Sequence, residues 1–190
     1  FSLPVPNIGR VAADGLVLSS TADGSTIRGF VIRDFGGDGV EIQSGSDNNT
    51  IAGNYIGRLN AAGSNAGAGE RNNDAGVRVL GGGNAIGGTT AADRNVISGN
   101  SNDGVLIDGA AATGNTVLGN YIGLTASGTA TLGNGLQGVS INNGASSNAI
   151  GGATPAARNV IAGNVDGVEL NGASGNTVIG NYIGTDITGT

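Results

Sequence analysis

Gly-Asn-Thr-Val-Leu-Gly-Asn-Tyr-Ile-Gly occupies residues 114–123 and returns at Gly175 to Gly184 with one change, Ile179 in place of Leu118. A third copy, Asn-Asn-Thr-Ile-Ala-Gly-Asn-Tyr-Ile-Gly, runs from Asn48 to Gly57. Self-similarity on this scale signals a repeat architecture and precedes any reading of local propensity. Working outward from the three copies, a Gly followed by an aliphatic, any residue and a second aliphatic stands upstream of each. This mark occurs at Gly15, Gly39, Gly76, Gly104, Gly138 and Gly167. Period-two alternation of this kind is a strand signal. A second short strand follows, centred on Ile27, Ile51, Ile86, Val117, Ile150 and Val178, and a third on Ile32, Ile56, Ile97, Ile122, Ile161 and Ile183.

Residues 15–190 thus divide into six units of three short strands. From Gly to Gly the units measure 24, 37, 28, 34 and 29 residues. Two alternating kinds of insertion account for the spread. Residues 58–75 and 124–137 follow the third strand, and residues 89–94 and 153–158 separate the second strand from the third. The period is therefore two units, 65 residues from Gly39 to Gly104 and 63 from Gly104 to Gly167. Strands this short need a neighbour for their backbone groups, and the next turn of a coil supplies one about 4.8 Å away. Stacked coils share one core. The expected fold is all-β: a parallel β-helix of six three-strand coils, a rod of about 29 Å at that spacing. Residues 1–14, with Pro4 and Pro6, carry no repeat and read as a lead-in or edge segment.

The composition agrees. Of 190 residues 39 are Gly and 23 are Asn, and these enter left-handed turns cheaply. Regularly recurring Val and Ile argue against low-complexity disorder. A net charge of −6 with scattered acids and no Lys excludes the basic stripe of a nucleic-acid binder. No apolar run is long enough for a membrane-spanning helix. The absence of Cys excludes disulfides and thiolate metal sites. A chain that starts at Phe1 and contains no Met reads as a processed product or excised piece.

The units resemble the repeat of right-handed parallel β-helix proteins. More narrowly, Asn-Tyr-Ile-Gly-Thr-Asp-Ile-Thr-Gly-Thr (181–190) and Ala-Ala-Asp-Arg-Asn-Val-Ile-Ser-Gly-Asn (91–100) resemble repeats of large secreted bacterial surface proteins. The resemblance implies the right-handed sense and a secreted or cell-surface location. It implies little about activity, because such repeats serve proteins of many kinds.

Stacking aligns equivalent residues. Asn54, Asn95, Asn120, Asn159 and Asn181 open the third strand and by parity point inward, so a ladder of stacked amides is expected there. Phe30 takes this place in the first unit, so the ladder should begin in the second. The next residue points outward: Tyr55, Val96, Tyr121, Val160 and Tyr182, preceded by Val31. This stripe holds all three tyrosines. It is either covered by the long insertions or is a lateral contact surface for another chain or a surface glycan.

Asp14, Asp38, Asp103 and Asp166 precede the first-strand Gly, and Asp-Gly is a turn signal. With loop acids such as Asp74 they offer oxygen ligands to Ca²⁺. Ala75 and Gln137 interrupt the column, so the turn reading is preferred, with Asp38, Asp103 and Asp166 kept as weak calcium candidates. No other cofactor is expected. Arg94 and Arg158 are equivalent, each expected to close its short insertion on carbonyls or to pair with acids such as Asp93. Glu41 and Arg78 fall on adjacent rungs as a candidate exposed pair, and Asn48-Asn49-Thr50 fits a glycosylation acceptor by pattern.

Catalysis is not expected. Glycoside hydrolysis needs two carboxylates about 5–10 Å apart in a cleft. Asp34 with Asp38, or Asp103 with Asp108, are the nearest approaches, and neither sits in a distinctive sequence. The pattern breaks only in the first unit, at Phe30, Arg33, Asp34 and Phe35, which reads as an end effect. An uncapped last coil suits continuation or self-association through the coil ends. The expected role is a non-catalytic stalk, adhesin segment or filament block. The alternative is a polysaccharide-binding or polysaccharide-modifying module.

Overall fold

The computed structural model describes residues 13–190, so the lead-in segment proposed for residues 1–14 lies almost entirely outside the described part. Eighteen short strands follow in chain order. They are β1 (Leu16–Leu18), β2 (Thr26–Arg28), β3 (Val31–Ile32), β4 (Val40–Ile42), β5 (Thr50–Ala52), β6 (Tyr55–Gly57), β7 (Val77–Val79), β8 (Ala85–Gly87) and β9 (Val96–Ser98). The second half holds β10 (Val105–Asp108), β11 (Thr116–Leu118), β12 (Tyr121–Ile122), β13 (Gln137–Asn142), β14 (Ala149–Ile150), β15 (Val160–Ile161), β16 (Asp166–Asn171), β17 (Thr177–Val178) and β18 (Tyr182–Ile183). Every third strand pairs, so the first sheet runs β1-β4-β7-β10-β13-β16 and the other two follow the same order. All these pairings are parallel. The molecule is a parallel β-helix of six coils with three sheets along its length. Nearly all parallel crossovers take the right-handed sense that the resemblance implies.

The registers place repeat-equivalent residues directly above one another: Val105 pairs with Val77 and Val139, Val117 with Ile86 and Ile150, and Ile122 with Ile97 and Ile161. Each of the first five coils contributes two inward aliphatics from its first strand and one from each of the others, and these merge into one continuous core. The ring is narrow. At Gly104 an added Cβ would lie 2.5 Å from the Gly138 carbonyl oxygen, 2.7 Å from Ile122 Cγ2 and 2.9 Å from Asn134 Nδ2. Gly39 and Gly76 meet the same three kinds of neighbour. None of these three glycines has a positive φ, so the column is glycine for want of space.

The two long insertions fold back on the third sheet. Each is pinned by an antiparallel bridge, Leu59 to Asn65 in one and Leu124 to Thr131 in the other. They touch each other although two coils apart, with Ala126 N–H donating to the Gly63 carbonyl at 2.9 Å. Arg33 of the first coil reaches Glu70 at 2.5 Å and ties down the first insertion. The insertions thereby form an outer layer whose own core is Leu59, Val96, Tyr121, Leu124, Leu132, Val160 and Ala162.

Candidate functional site

The expected asparagine ladder is present. Asn95 donates its backbone N–H and its Nδ2 to Asn120 Oδ1 at 3.1 and 3.0 Å, and Asn120 repeats this toward Asn159 Oδ1 at 2.9 and 3.1 Å. The remaining amide hydrogen of Asn120 goes back to the Ile86 carbonyl at 2.8 Å. An amide has two donors and an acceptor of two bonds, and this arrangement uses all of them inside a fully buried corner. Phe30 begins the column as expected, giving only its backbone N–H to Asn54 Oδ1 at 3.0 Å.

Two further ladders were not read from the sequence. One runs through Asn49, Asn84, Asn115, Asn148 and Asn176 at the entrance to the second strand. The other runs through Asn72, Asn100, Asn134 and Asn164 ahead of the next coil's first strand. The first was visible in the repeated decapeptide itself, as Asn115 and Asn176. In the second, Asn72 and Asn134 close the long insertions, whereas Asn100 and Asn164 follow the third strand directly. Only its distance to the following glycine is nearly constant, four residues at Asn72, Asn100 and Asn134 and three at Asn164.

Of the two readings of the aromatic stripe, the structure agrees with cover by the long insertions and not with a lateral contact surface. Tyr121 is 9% exposed, and Val96 and Val160 are buried with it beneath the long insertions. Tyr55 and Tyr182 pack against the same cluster. The stripe Tyr55, Val96, Tyr121, Val160 and Tyr182 is therefore the floor of the outer core and offers little free lateral surface. The reason is apolar burial: Leu59, Leu124 and Leu132 of the insertions cluster there with Val96, Tyr121 and Val160.

Arg94 and Arg158 close on backbone as expected, Arg94 Nε on the Gly119 carbonyl at 3.1 Å and Arg158 Nε on that of Gly180 at 3.0 Å. Their guanidinium carbons also lie 4.2 and 3.9 Å from the ring centroids of Tyr121 and Tyr182, cation–π contacts that the sequence reading missed. Asp93 pairs with Arg28 at 2.7 Å instead of with Arg94. Thr90 hydroxyl and Arg28 guanidinium hold its carboxyl below the usual range. Arg78 pairs with Asp108 on the next coil at 3.3 Å, not with Glu41. Asp108 also accepts from Asn143 Nδ2, so its carboxylate is committed away from Asp103. Asn48 is exposed at a left-handed turn.

The acidic column works as a set of backbone caps. Asp14 Oδ1 accepts the Asp38 N–H at 2.7 Å, Asp38 Oδ1 the Ala75 N–H at 2.9 Å, and Asp103 Oδ1 the Gln137 N–H at 3.1 Å. Ala75 and Gln137 each still supply the N–H that caps the Asp of the preceding coil. Asp38, Asp103 and Asp166 lie on alternate coils, about 10 Å apart at the usual strand spacing, too far to share one ion. Among the described residues no group of three or more acids is placed to hold a metal ion.

Burial pushes the Asp38 carboxyl up to about 7, with Asp74 and Asp14 adding to the rise and the Ala75 N–H opposing it. Asp103 is also raised, by burial first and then by Asp74 and Glu169, against the Gln137 N–H. The linkage has a definite sign. Between about pH 4 and 7 the folded chain holds a proton on Asp38 that the unfolded chain has released, so stability falls as pH rises through this window. Asp38→Asn keeps an oxygen for the Ala75 N–H and removes the charge. It should raise stability by on the order of 3 kcal/mol at about pH 8, and the gain should vanish by about pH 4. Thermal melts of both chains at the two pH values check this.

No protein-family model matches the chain, and no curated protein or solved structure matches it either.

Proposed function

We propose that this chain is a non-catalytic structural β-helix, a rigid segment of a secreted or cell-surface stalk, adhesin or filament that works by stacking coils. One observation carries the proposal. Nearly every side chain that breaks from plain strand or turn chemistry is consumed in holding one coil to the next. The asparagines run as three ladders, the turn acids cap the following coil, and both repeated arginines bind the following coil's backbone. The tyrosines, the strongest sequence candidates for ligand contact, face the chain's own loops.

The polysaccharide module is the competing class, and a direct comparison separates the two. The purified chain is presented to an array of bacterial and plant polysaccharides, with and without calcium, and products are sought in parallel. The expected result is neither retention nor turnover. Saturable binding of a glycan series, or release of oligosaccharide, would overturn the structural reading.

A further inference from the structure

We infer that the C-terminal end of the helix is a hydrogen-bond-donor face that receives one further repeat coil, stacked in the same direction and carrying Asn at its three corners. The inference rests on the stacking role proposed above and names its partner. It begins from the direction of the ladders. At each corner an Asn gives its backbone N–H, and in most rungs its Nδ2, to the Oδ1 of the coil that follows. Its other amide hydrogen turns back to a carbonyl of the preceding coil, as Asn95 does to Ile51, Asn148 to Ala112 and Asn134 to Ile97. An Asn-bearing coil therefore needs a carbonyl behind it and an acceptor ahead.

The two ends of the molecule meet this requirement differently. In the first coil the three corners hold Ser25, Phe30 and Phe35. Their backbone N–H groups donate to Asn49, Asn54 and Asn72 at 2.8, 3.0 and 3.3 Å. None of the three carries a side-chain amide, so none calls for a carbonyl behind it. The ladders are terminated there. At the other end the corners are Asn164, Asn176 and Asn181, complete rungs that accept from Asn134, Asn148 and Asn159. They turn back to carbonyls as interior rungs do, Asn176 to Ala145 and Asn181 to Ile150. Their own backbone N–H groups have no acceptor among the described residues.

The apolar surface repeats this asymmetry. Leu170, Val178 and Ile183 are 45, 39 and 46% exposed, whereas Ile107, Val117 and Ile122 two coils earlier are all at 0%. β16, β17 and β18 are the last strands of their sheets, each with a free edge. A coil laid on this face would extend three sheets, cover three aliphatics and meet three oriented donors.

Hydrogen-bond polarity selects among occupants. The first coil of a second copy would bring Ser25 and Phe30 against Asn176 and Asn181, with no amide oxygen. A second copy turned face to face would set donors against donors and reverse the strands. One turn with Asn at all three corners, such as residues 134–161 with Asn134, Asn148 and Asn159, fits each position, because these three already stack on Asn164, Asn176 and Asn181 from the other side.

The test is an extension in register. Residues 184–190 align with residues 123–129, so a copy of residues 130–190 appended after Thr190 completes the loop and adds the next coils. The appended copies of Asn134, Asn148 and Asn159 would then face Asn164, Asn176 and Asn181. The three N–H groups of Asn164, Asn176 and Asn181 should slow in hydrogen exchange by about 100-fold or more, as groups do on passing from an open edge to a closed ladder. Changing the three appended Asn to Ala should abolish that protection. The unextended chain should sediment as a monomer at high concentration. Free exchange of the three amides in the extended chain, loss of its folded state, or end-to-end rods of the unextended chain would overturn the inference. Any of these with no glycan bound would leave the structural reading in place.

Discussion

Asn120→Ala is expected to destabilise the chain by about 5 kcal/mol, enough on the scale of ordinary domain stability to unfold its middle coils. The side chain takes part in four hydrogen bonds in a corner with no solvent access. Truncation leaves the Asn95 N–H and one Asn95 amide hydrogen without an acceptor, and removes one donor from the Ile86 carbonyl and from Asn159 Oδ1. Each buried orphan costs about 1–3 kcal/mol. Packing cannot recover this, because the ladder spacing is set by the strands on either side.

The position in the ladder should govern the size of the effect. Asn181→Ala removes the same atoms at the last rung, where Asn181 and its neighbours are partly solvated, and water can replace the lost partners. A loss of about 1 kcal/mol is expected there. Coils contact only their neighbours, so unfolding need not be all-or-none, and a single midpoint is a poor measure. Hydrogen exchange resolved by residue is the appropriate readout. In the Asn120→Ala chain protection should fall first in residues 76–137, and in the Asn181→Ala chain only in the last coil. Equal effects from the two substitutions would mean that the ladder carries little of the stability.

The fold was legible because its evidence is periodic. Val and Ile recur at fixed offsets from Gly39, Gly76, Gly104, Gly138 and Gly167, and a one-residue slip would turn every inward side chain out. The ladder through Asn120 followed from the same parity. What stayed open or unread depended on where the insertions go. Whether Tyr121 faces solvent turns on the path of residues 124–137, which has no period to read, and on Leu124 and Leu132 reaching the tyrosine. The ladder through Asn134 was hidden for the same reason, since Asn72 and Asn134 end insertions. Arg78 has an acid one coil away on each side, Glu41 and Asp108, and strand parity alone does not say that it pairs with Asp108. The cation–π contact of Arg94 needed the insertion's geometry as well.

Gly104→Ala is the second substitution expected to do severe damage, and its cause differs from the one composition suggests. So much glycine points to left-handed turns, and Gly114 is such a residue, with φ 66° and open space within 4 Å of where an added methyl group would sit. Gly114→Ala should therefore cost only the left-handed penalty, about 1–2 kcal/mol. Gly104 has no positive φ and gains nothing from being glycine in backbone freedom. Its methyl group would press on the Gly138 carbonyl, on Ile122 and on Asn134 together, within 2.5–2.9 Å. The carbonyl is backbone of the next coil, Ile122 is core, and Asn134 is a ladder rung, so none can yield without breaking a stacked column. Overpacking of this kind costs about 3 kcal/mol or more. The order Gly104→Ala worse than Gly114→Ala, measured by chemical unfolding at one pH, is the decisive outcome. The reverse order would show that the coils separate easily and that close stacking is not what fixes glycine at the head of every first strand.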